Sequence, residues 1–353
     1  MAVAFKYWKF KKRVFCLGTL ILMGIYYGAL EFRHLQYRTQ ERYLAGRLHL
    51  RPQLEKKRFV NLYFQKLLNL IMTWFIIKND NQLDKLLNKH SFVFGLNSRQ
   101  CLNVSIGVLI VVHSDPSNVE KRSVIRNTWG SVTTFRNMPV VCVFMMGERN
   151  NIQQEIVQES ILFGDIVQGN FKDSYKNLTY KHIMALHWVT TQCHDVRTIV
   201  KIDDDVFVNI FKLVNFSLTT GHLHNSLYCT VLQTGRPFRK EGKWITSREE
   251  YPFEFFPTYC EGMAYILSVD EAKRLTKASE NTRFYWIDDV YVTGILAHKA
   301  GIGHTQFEDL HTSFRAPSLE SCSEGLNMNA MFYHELKNWT LLWRMCFDKN
   351  VNL

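Results

Sequence analysis

Thr198-Ile199-Val200-Lys201-Ile202-Asp203-Asp204-Asp205 sets a short β-branched run directly against three successive carboxylates. The run TIVKI reads as a buried strand, with the acids at its carboxyl end. Outward from it, two more strands are read: Val104 to Val112 (VSIGVLIVV), bounded by His113-Ser114-Asp115-Pro116, and Pro139 to Met146 (PVVCVFMM), ended by Gly147. Helical spacing fills the gaps: Asn118 to Trp129 before Gly130, Ile152 to Leu162, and Tyr180 to Gln192. Strands alternating with helices predict an α/β fold, with a mainly parallel central sheet covered by helices on both faces. Ligands bind beyond the carboxyl ends of such strands, which is where the triplet lies.

Three adjacent carboxylates repel one another, and partial burial raises their proton affinity unless a cation is present. A divalent metal removes that penalty. Hard oxygen ligands suit Mg2+ or Mn2+, commonly completed by substrate phosphates. For the bare triplet, a solvated acidic turn with Asp205 capping a helix is the alternative. A calcium-binding EF-hand is excluded, because Phe207, Val208 and Val214 fall at its fifth, sixth and twelfth loop positions counted from Asp203.

The chain has 353 residues, a net charge of +11, and 46% hydrophobic residues, enough for a substantial core and about two domains, or one with an appendage. The charge is unevenly placed. Residues 1–100 hold 18 basic and 5 acidic residues, whereas residues 101–353 hold 25 and 27. A nucleic-acid-binding core needs a basic surplus that the larger segment lacks, so no nucleic-acid partner is expected.

Lys6, Lys9, Lys11, Lys12 and Arg13 precede the uncharged run Val14 to Leu30 (VFCLGTLILMGIYYGAL). As a helix it reaches about 25 Å and suits a thin early-secretory bilayer. Residues 1–13 read as a cytosolic tail, 14–30 as an uncleaved transmembrane anchor, 31–100 as a stem and 101–353 as a lumenal domain. A cleaved signal peptide is the competing reading, for which Gly28-Ala29-Leu30 makes a poor cleavage site. Five basic residues before the span, against Arg33, Arg38 and Arg42 after it, put the N-terminus in the cytosol. Sequons at Asn103, Asn177, Asn215 and Asn338 agree with this single-pass type II topology. Residues 59–77, interrupted by Gln65, Lys66 and Asn69, read as an amphipathic stem helix. Cys16 lies in the anchor, which leaves an odd seven cysteines beyond it, and no Cys/His spacing suggests zinc.

Five elements, in order, resemble glycosyltransferase family 31, the inverting β1,3-galactosyltransferases and β1,3-N-acetylglucosaminyltransferases. They are Arg122-Ser-Val-Ile-Arg126-Asn-Thr-Trp129-Gly130, Phe171-Lys-Asp173-Ser-Tyr175-Lys-Asn177-Leu-Thr179 and Lys201-Ile-Asp-Asp-Asp205-Val-Phe-Val-Asn209. Tyr251-Pro with Pro257-Thr-Tyr259-Cys260-Glu-Gly262 and Tyr265 follows, and then Ile287-Asp288-Asp289-Val290. The resemblance spans about residues 102–347.

It implies a GT-A fold with a UDP-sugar across the triplet and Mn2+ or Mg2+ as cofactor. Asp205 is then the principal metal ligand, with Asp203 and Asp204 beside the ribose and donor sugar. His334 falls where the family often has an imidazole ligand, which favours Mn2+, with a satisfied core or surface histidine as the alternative reading. Arg122, Arg126 and Trp129 share one helix face, which sets a guanidinium near the diphosphate or, alternatively, two salt-bridged arginines around a core tryptophan. Asp289 matches the family's catalytic base, and Asp288 is assigned to cap a helix from Val290 to Ala300 closed by Gly301.

By the same resemblance Trp244, Glu261 and Gly262 fall on the acceptor side, with burial in the core the alternative for Trp244. There Glu261-Gly262-Met263-Ala264 replaces Ser-Gly-x-Gly, and Gly294 follows Asp289 by five positions where the family often has four, so acceptor identity does not carry over. Cys193 and Cys260 match family cysteines and are implied to pair. The implied activity is an inverting β1,3-hexosyltransferase, moving galactose or an N-acetylhexosamine to a glycoprotein or glycolipid acceptor in the Golgi. Two other classes compete with it. A catalytically silent glycan-binding relative would show a broken triplet or a missing base, and both are intact. A glycosidase needs a carboxylate pair, such as Asp289 with Glu261, and leaves the triplet without purpose. A homodimer formed through the stem is an open alternative.

Overall fold

The computed structural model describes residues 92–102, 104–193, 195–220, 224–307, 331–334 and 339–347. The expected tail, anchor and most of the stem lie outside them, as do Asn103 and Asn338. Among the described residues no helix is long and apolar enough to cross a membrane.

The first runs fold as their composition dictates. All eight residues of β2 (Ile106–His113) are buried, so the sheet is covered on both faces at its centre. Its neighbours are β4 (Met138–Glu148) and β6 (Val196–Asp203), both parallel to it, and β5 (Ile166–Lys172) continues the parallel set beyond β4. β1 (Phe94–Leu96) closes that edge antiparallel to β5, and the short β3 (Thr134–Phe135) pairs with β4. The intervening helices are α1 (Val119–Arg126), α2 (Gln153–Phe163) and α3 (Leu178–Gln192). β7 (Val206–Val208) and α4 (Ile210–Thr219) follow β6 directly.

Past β6 the sheet departs from expectation. β9 (Tyr259–Leu267) runs antiparallel to β6, and β8 (Ser226–Leu232) antiparallel to β9, with β10 (Gly303–Gln306) at the far edge parallel to β8. The sheet is therefore mixed, with order β1-β5-β4-β2-β6-β9-β8-β10. The antiparallel direction of β9 brings its first half, with Glu261 and Gly262, to the end of β6 that carries the acidic triplet. After α5 (Val269–Ser279), the segment Val290–Leu296 is a π-helix rather than the expected α-helix, and it passes into Ala297–Lys299. β11 (Phe332–His334) pairs antiparallel with β7, and α6 (Trp339–Cys346) follows. Trp343 and Phe347 stack on Phe211 of α4, with ring centroids 6.2 and 5.7 Å away.

The implied Cys193–Cys260 pairing is wrong. Cys193 is bonded to Cys101, and Cys260 to Cys229. Register explains it. Ile106 pairs with Val196, so the segments entering β2 and β6 run side by side and bring Cys101 to Cys193. Ile199 pairs with Leu267, which puts the start of β6 beside the end of β9 and leaves Cys260 at the opposite end of the sheet. Cys260 lies against Val231 of β8, two residues from Cys229. Cys346 is also disulfide-bonded, and Cys142 is the free cysteine among the described residues, its thiol pushed up by burial. Non-reducing peptide mapping is expected to recover 101–193 and 229–260 linked peptides; a 193–260 link would overturn this strand register.

Candidate active site

β6 delivers its three acids in different directions. Asp204 is buried and accepts hydrogen bonds from Ser114 Oγ (2.8 Å), Asn118 Nδ2 (2.8 Å) and Lys121 Nζ (2.9 Å), with the Asp115 N–H at 3.4 Å. Its carboxylate ties the tip of β6 to the loop after β2, a brace in place of the donor-sugar contact expected for it. Asp203 is the more open of the two, and its Oδ1 accepts from Lys201 Nζ at 2.7 Å. Desolvation by the surrounding protein, with Asp288 and Asp205 nearby, raises its proton affinity above the usual carboxylate range, against the pull of Lys201. Asp205 lies between β6 and β7. In the β7–β11 ladder His334 is the partner of Val206, so its backbone stands beside the residue that follows Asp205.

Arg122 and Arg126 do not serve a diphosphate. Arg122 is fully buried, and its guanidinium donates twice to Glu159 (2.8 and 2.6 Å), to Ser114 Oγ, and to the carbonyls of Asp115 and Pro116. Those five bonds match its five N–H donors. Arg126 donates to Glu159 at 2.7 Å and, in a fork, to Asp165 at 2.7 and 2.8 Å. The alternative reading of this helix holds: the arginines are salt-bridged and Trp129 is a core residue, 0% exposed. Arg122 reaches the triplet only through Ser114, which it shares with Asp204.

Asp289 sits where β9 meets the π-helix. Its Oδ1 accepts the Val290 N–H at 2.7 Å, and its carbonyl accepts from Thr293 Oγ1 at 2.6 Å. The cap is therefore Asp289, whereas Asp288, expected to cap, pairs instead with His182 at 3.0 Å. Gly262 makes this geometry possible, since a Cβ there would lie 3.2 Å from Asp289 Oδ2 and 3.3 Å from its Cβ. Burial first, and then the charge of Asp288, push Asp289 up to about 7.

Lys201 links the two acidic ends. It is 4% exposed and donates to Asp203 and to the Gly262 carbonyl at 2.6 Å. Lys181, also buried, donates to the Ser114 carbonyl at 2.7 Å and pairs with Asp173 at 3.0 Å. Sequence reasoning missed both lysines and His182; an ammonium inside the run TIVKI was the one available signal for Lys201.

On the acceptor side, Trp244 is 44% exposed and its indole N–H donates to the Tyr175 hydroxyl. Tyr175 feels the negative charge of Asp288, Asp289 and Asp203 after burial, and is pushed up to about 12. Asp289 and Glu261 act together on the buried Tyr259 hydroxyl. Gly262 thus lies against Asp289 with Glu261 next to it in the chain, and Trp244 is linked to this end of the site through Tyr175. Of the sequons described, Asn177 opens α3 with its side-chain amide donating to the Lys172 carbonyl, and Asn215 lies inside α4 with its side-chain Oδ1 buried.

The galactosyltransferase family model matches residues 120–308, which contain the triplet, Gly262 and Asp289. The chain belongs to the galactosyltransferase family. It is 34% identical over 221 residues to human β-1,3-galactosyltransferase 1, covering 61% of this chain and 68% of that one. Similarity to Xenopus laevis lactosylceramide 1,3-N-acetyl-β-D-glucosaminyltransferase A is 32% over 283 residues, 76% of this chain and 74% of that one. To the Sus scrofa UDP-GalNAc:β-1,3-N-acetylgalactosaminyltransferase 1 it is 30% over 250 residues, 66% and 76%. This galactosyltransferase-family chain is a glycosyltransferase, with hexosyl transfer as its class of activity. His334 lies beyond the matched residues.

Proposed function

We propose that the chain is a metal-dependent, inverting β1,3-hexosyltransferase of GT-A type, taking galactose or an N-acetylhexosamine from a UDP-sugar to a hydroxyl of a glycan on protein or lipid. In this reading residues 14–30 anchor it in the Golgi membrane and residues 101–353 face the lumen. One observation carries the reading: Asp289, a buried carboxylate of raised proton affinity, is fixed by Val290 and Gly262 beside the acidic tip of β6. The galactosyl- and N-acetylhexosaminyltransferase relatives support the donor class.

The donor set fits a hard divalent cation. Asp205 supplies oxygen, the β7–β11 register puts His334 at the same end, and Asp203 carries negative charge that Lys201 offsets only in part. Asp205 and His334 are the residues that would hold the metal, and when bound it would supply Lewis-acid stabilisation of the departing diphosphate. The protein's own residues do the rest. The acceptor hydroxyl attacks the anomeric carbon, the bond from that carbon to the phosphate oxygen breaks with its electron pair leaving on UDP, and Asp289 takes the hydroxyl proton. Trp244 and Tyr175 offer aromatic surface to a sugar ring, and Glu261 offers acceptors to its hydroxyls.

Assaying a panel of UDP-sugars against glycan acceptors is expected to give a β1,3-linked product with Mn2+ and none in EDTA. Because Asp289 accepts a proton only when ionised, kcat/KM is expected to fall as pH drops through about 7. Full activity in EDTA, or a rate level from pH 8 to about pH 5, would overturn the reading.

A further inference from the structure

His182, on α3, is 1% exposed and lies behind the site rather than in it. Its Nδ1 is 3.0 Å from Asp288 Oδ2, and its Nε2 meets the Tyr265 hydroxyl of β9. The imidazole stacks on the Tyr265 ring, with centroids 5.6 Å apart, and stands edge-on to His113 of β2 at 4.8 Å. Other charged groups near this chain are Lys201 and Asp203 on β6, and Asp289 itself; Lys181 on α3 and Lys201 both act on His113.

The environment fixes which group donates to which. Burial holds Tyr265 far above the usual phenol range, so its hydroxyl keeps its proton and donates to Nε2. Burial lowers His182 despite Asp288, so the imidazole is neutral and its one hydrogen sits on Nδ1, donating to Asp288. Burial works against ionised Asp288 too, but the hydrogen bond from His182 and the charge of Lys201 outweigh it and hold Asp288 below its ordinary value. The chain Tyr265–His182–Asp288 thus runs one way and ends on the carboxylate next to Asp289.

His113, His182 and Asp288 offer three ligand atoms within 4.8 Å of one another, which invites a metal reading. Two observations oppose it: both His182 nitrogens already have partners, and the Lys181 and Lys201 ammonium groups repel a cation at His113.

We propose that His182 is a positioning residue for the transfer: clamped between the Tyr265 hydroxyl and Asp288, it keeps Asp288 an ionised acceptor, so that the proton leaving the acceptor hydroxyl has one destination, Asp289. The inference rests on Asp289 being the base. Two neighbouring carboxylates would otherwise share one proton, as coupled pairs do. Remove the Nδ1 donor and Asp288 takes part of that proton, leaving Asp289 ionised to lower pH but worse oriented.

The test is the pH profile of kcat in the full-length enzyme. His182→Leu is expected to lower the plateau about tenfold and move the acid limb to lower pH by about one unit. His182→Asn, which can place an N–H where Nδ1 stood, is expected to keep the limb at its parent position. A limb that stays put in His182→Leu, or moves equally in His182→Asn, overturns the proposal. Where His182→Leu does not fold, Tyr265→Phe is read instead, with a smaller displacement in the same direction expected and an unmoved limb overturning it. Asp289→Asn run alongside separates the two claims. If it retains turnover, the base assignment fails; if it is inactive while the His182→Leu limb is unmoved, only the relay fails.

Discussion

Asp289→Asn is expected to lower kcat by about 10²–10⁴-fold, the range a general base contributes, while leaving UDP affinity essentially unchanged. The amide keeps the shape of the carboxylate and can still accept the Val290 N–H, but it cannot take a proton from the acceptor hydroxyl. A second readout separates chemistry from structure. The proton affinity of Asp289 is higher folded than unfolded, so its contribution favours the fold at low pH and is lost as pH rises through about 7. Above that pH the ionised group sits buried beside Asp288 at a cost. Removing the charge is therefore expected to raise the melting temperature at pH 8, with the gain vanishing near pH 4. Loss of activity together with a lower melting temperature at pH 8 would make Asp289 a structural residue instead.

Arg122→Ala carries the largest expected effect on stability, a loss of about 3–5 kcal/mol, typical of breaking a buried ion pair from one side. Five hydrogen bonds disappear at once, Glu159 is left with Arg126, and Ser114 loses a donor beside Asp204. Urea unfolding measures it. A variant of parental stability that no longer bound UDP would return this guanidinium to the diphosphate.

The sequence announces the parallel half of the sheet because strands buried on both faces are continuous apolar runs, as in β2 and β4. It announces the triplet because carboxylates so placed need a reason. It does not announce β9, whose central Glu261, Gly262 and Met263 break any strand pattern, although those residues bring Asp289 to β6. The diphosphate was the wrong partner for Arg122 and Arg126 for a general reason: helical spacing shows which face a side chain shares, not what lies opposite. Glu159 and Asp165, 37 and 39 residues further on, had no local signature. His182 and Lys181 were silent in the same way, since a buried polar group is defined by partners that only the fold supplies. The passing of the cap from Asp288 to Asp289 turns on the opening of the π-helix, beyond the reach of a pattern that sees only adjacent acids before a helix.

The crosslink between Cys229 and Cys260 ends two residues before Gly262, the position whose missing side chain makes room for the base. Chain synthesised in a reducing bacterial cytoplasm lacks that strut, leaving β8 and β9 without a covalent tie at the spot where the reaction demands least play. Recombinant production is thus best routed through an export pathway, with specific activity tracking the oxidised fraction rather than total yield.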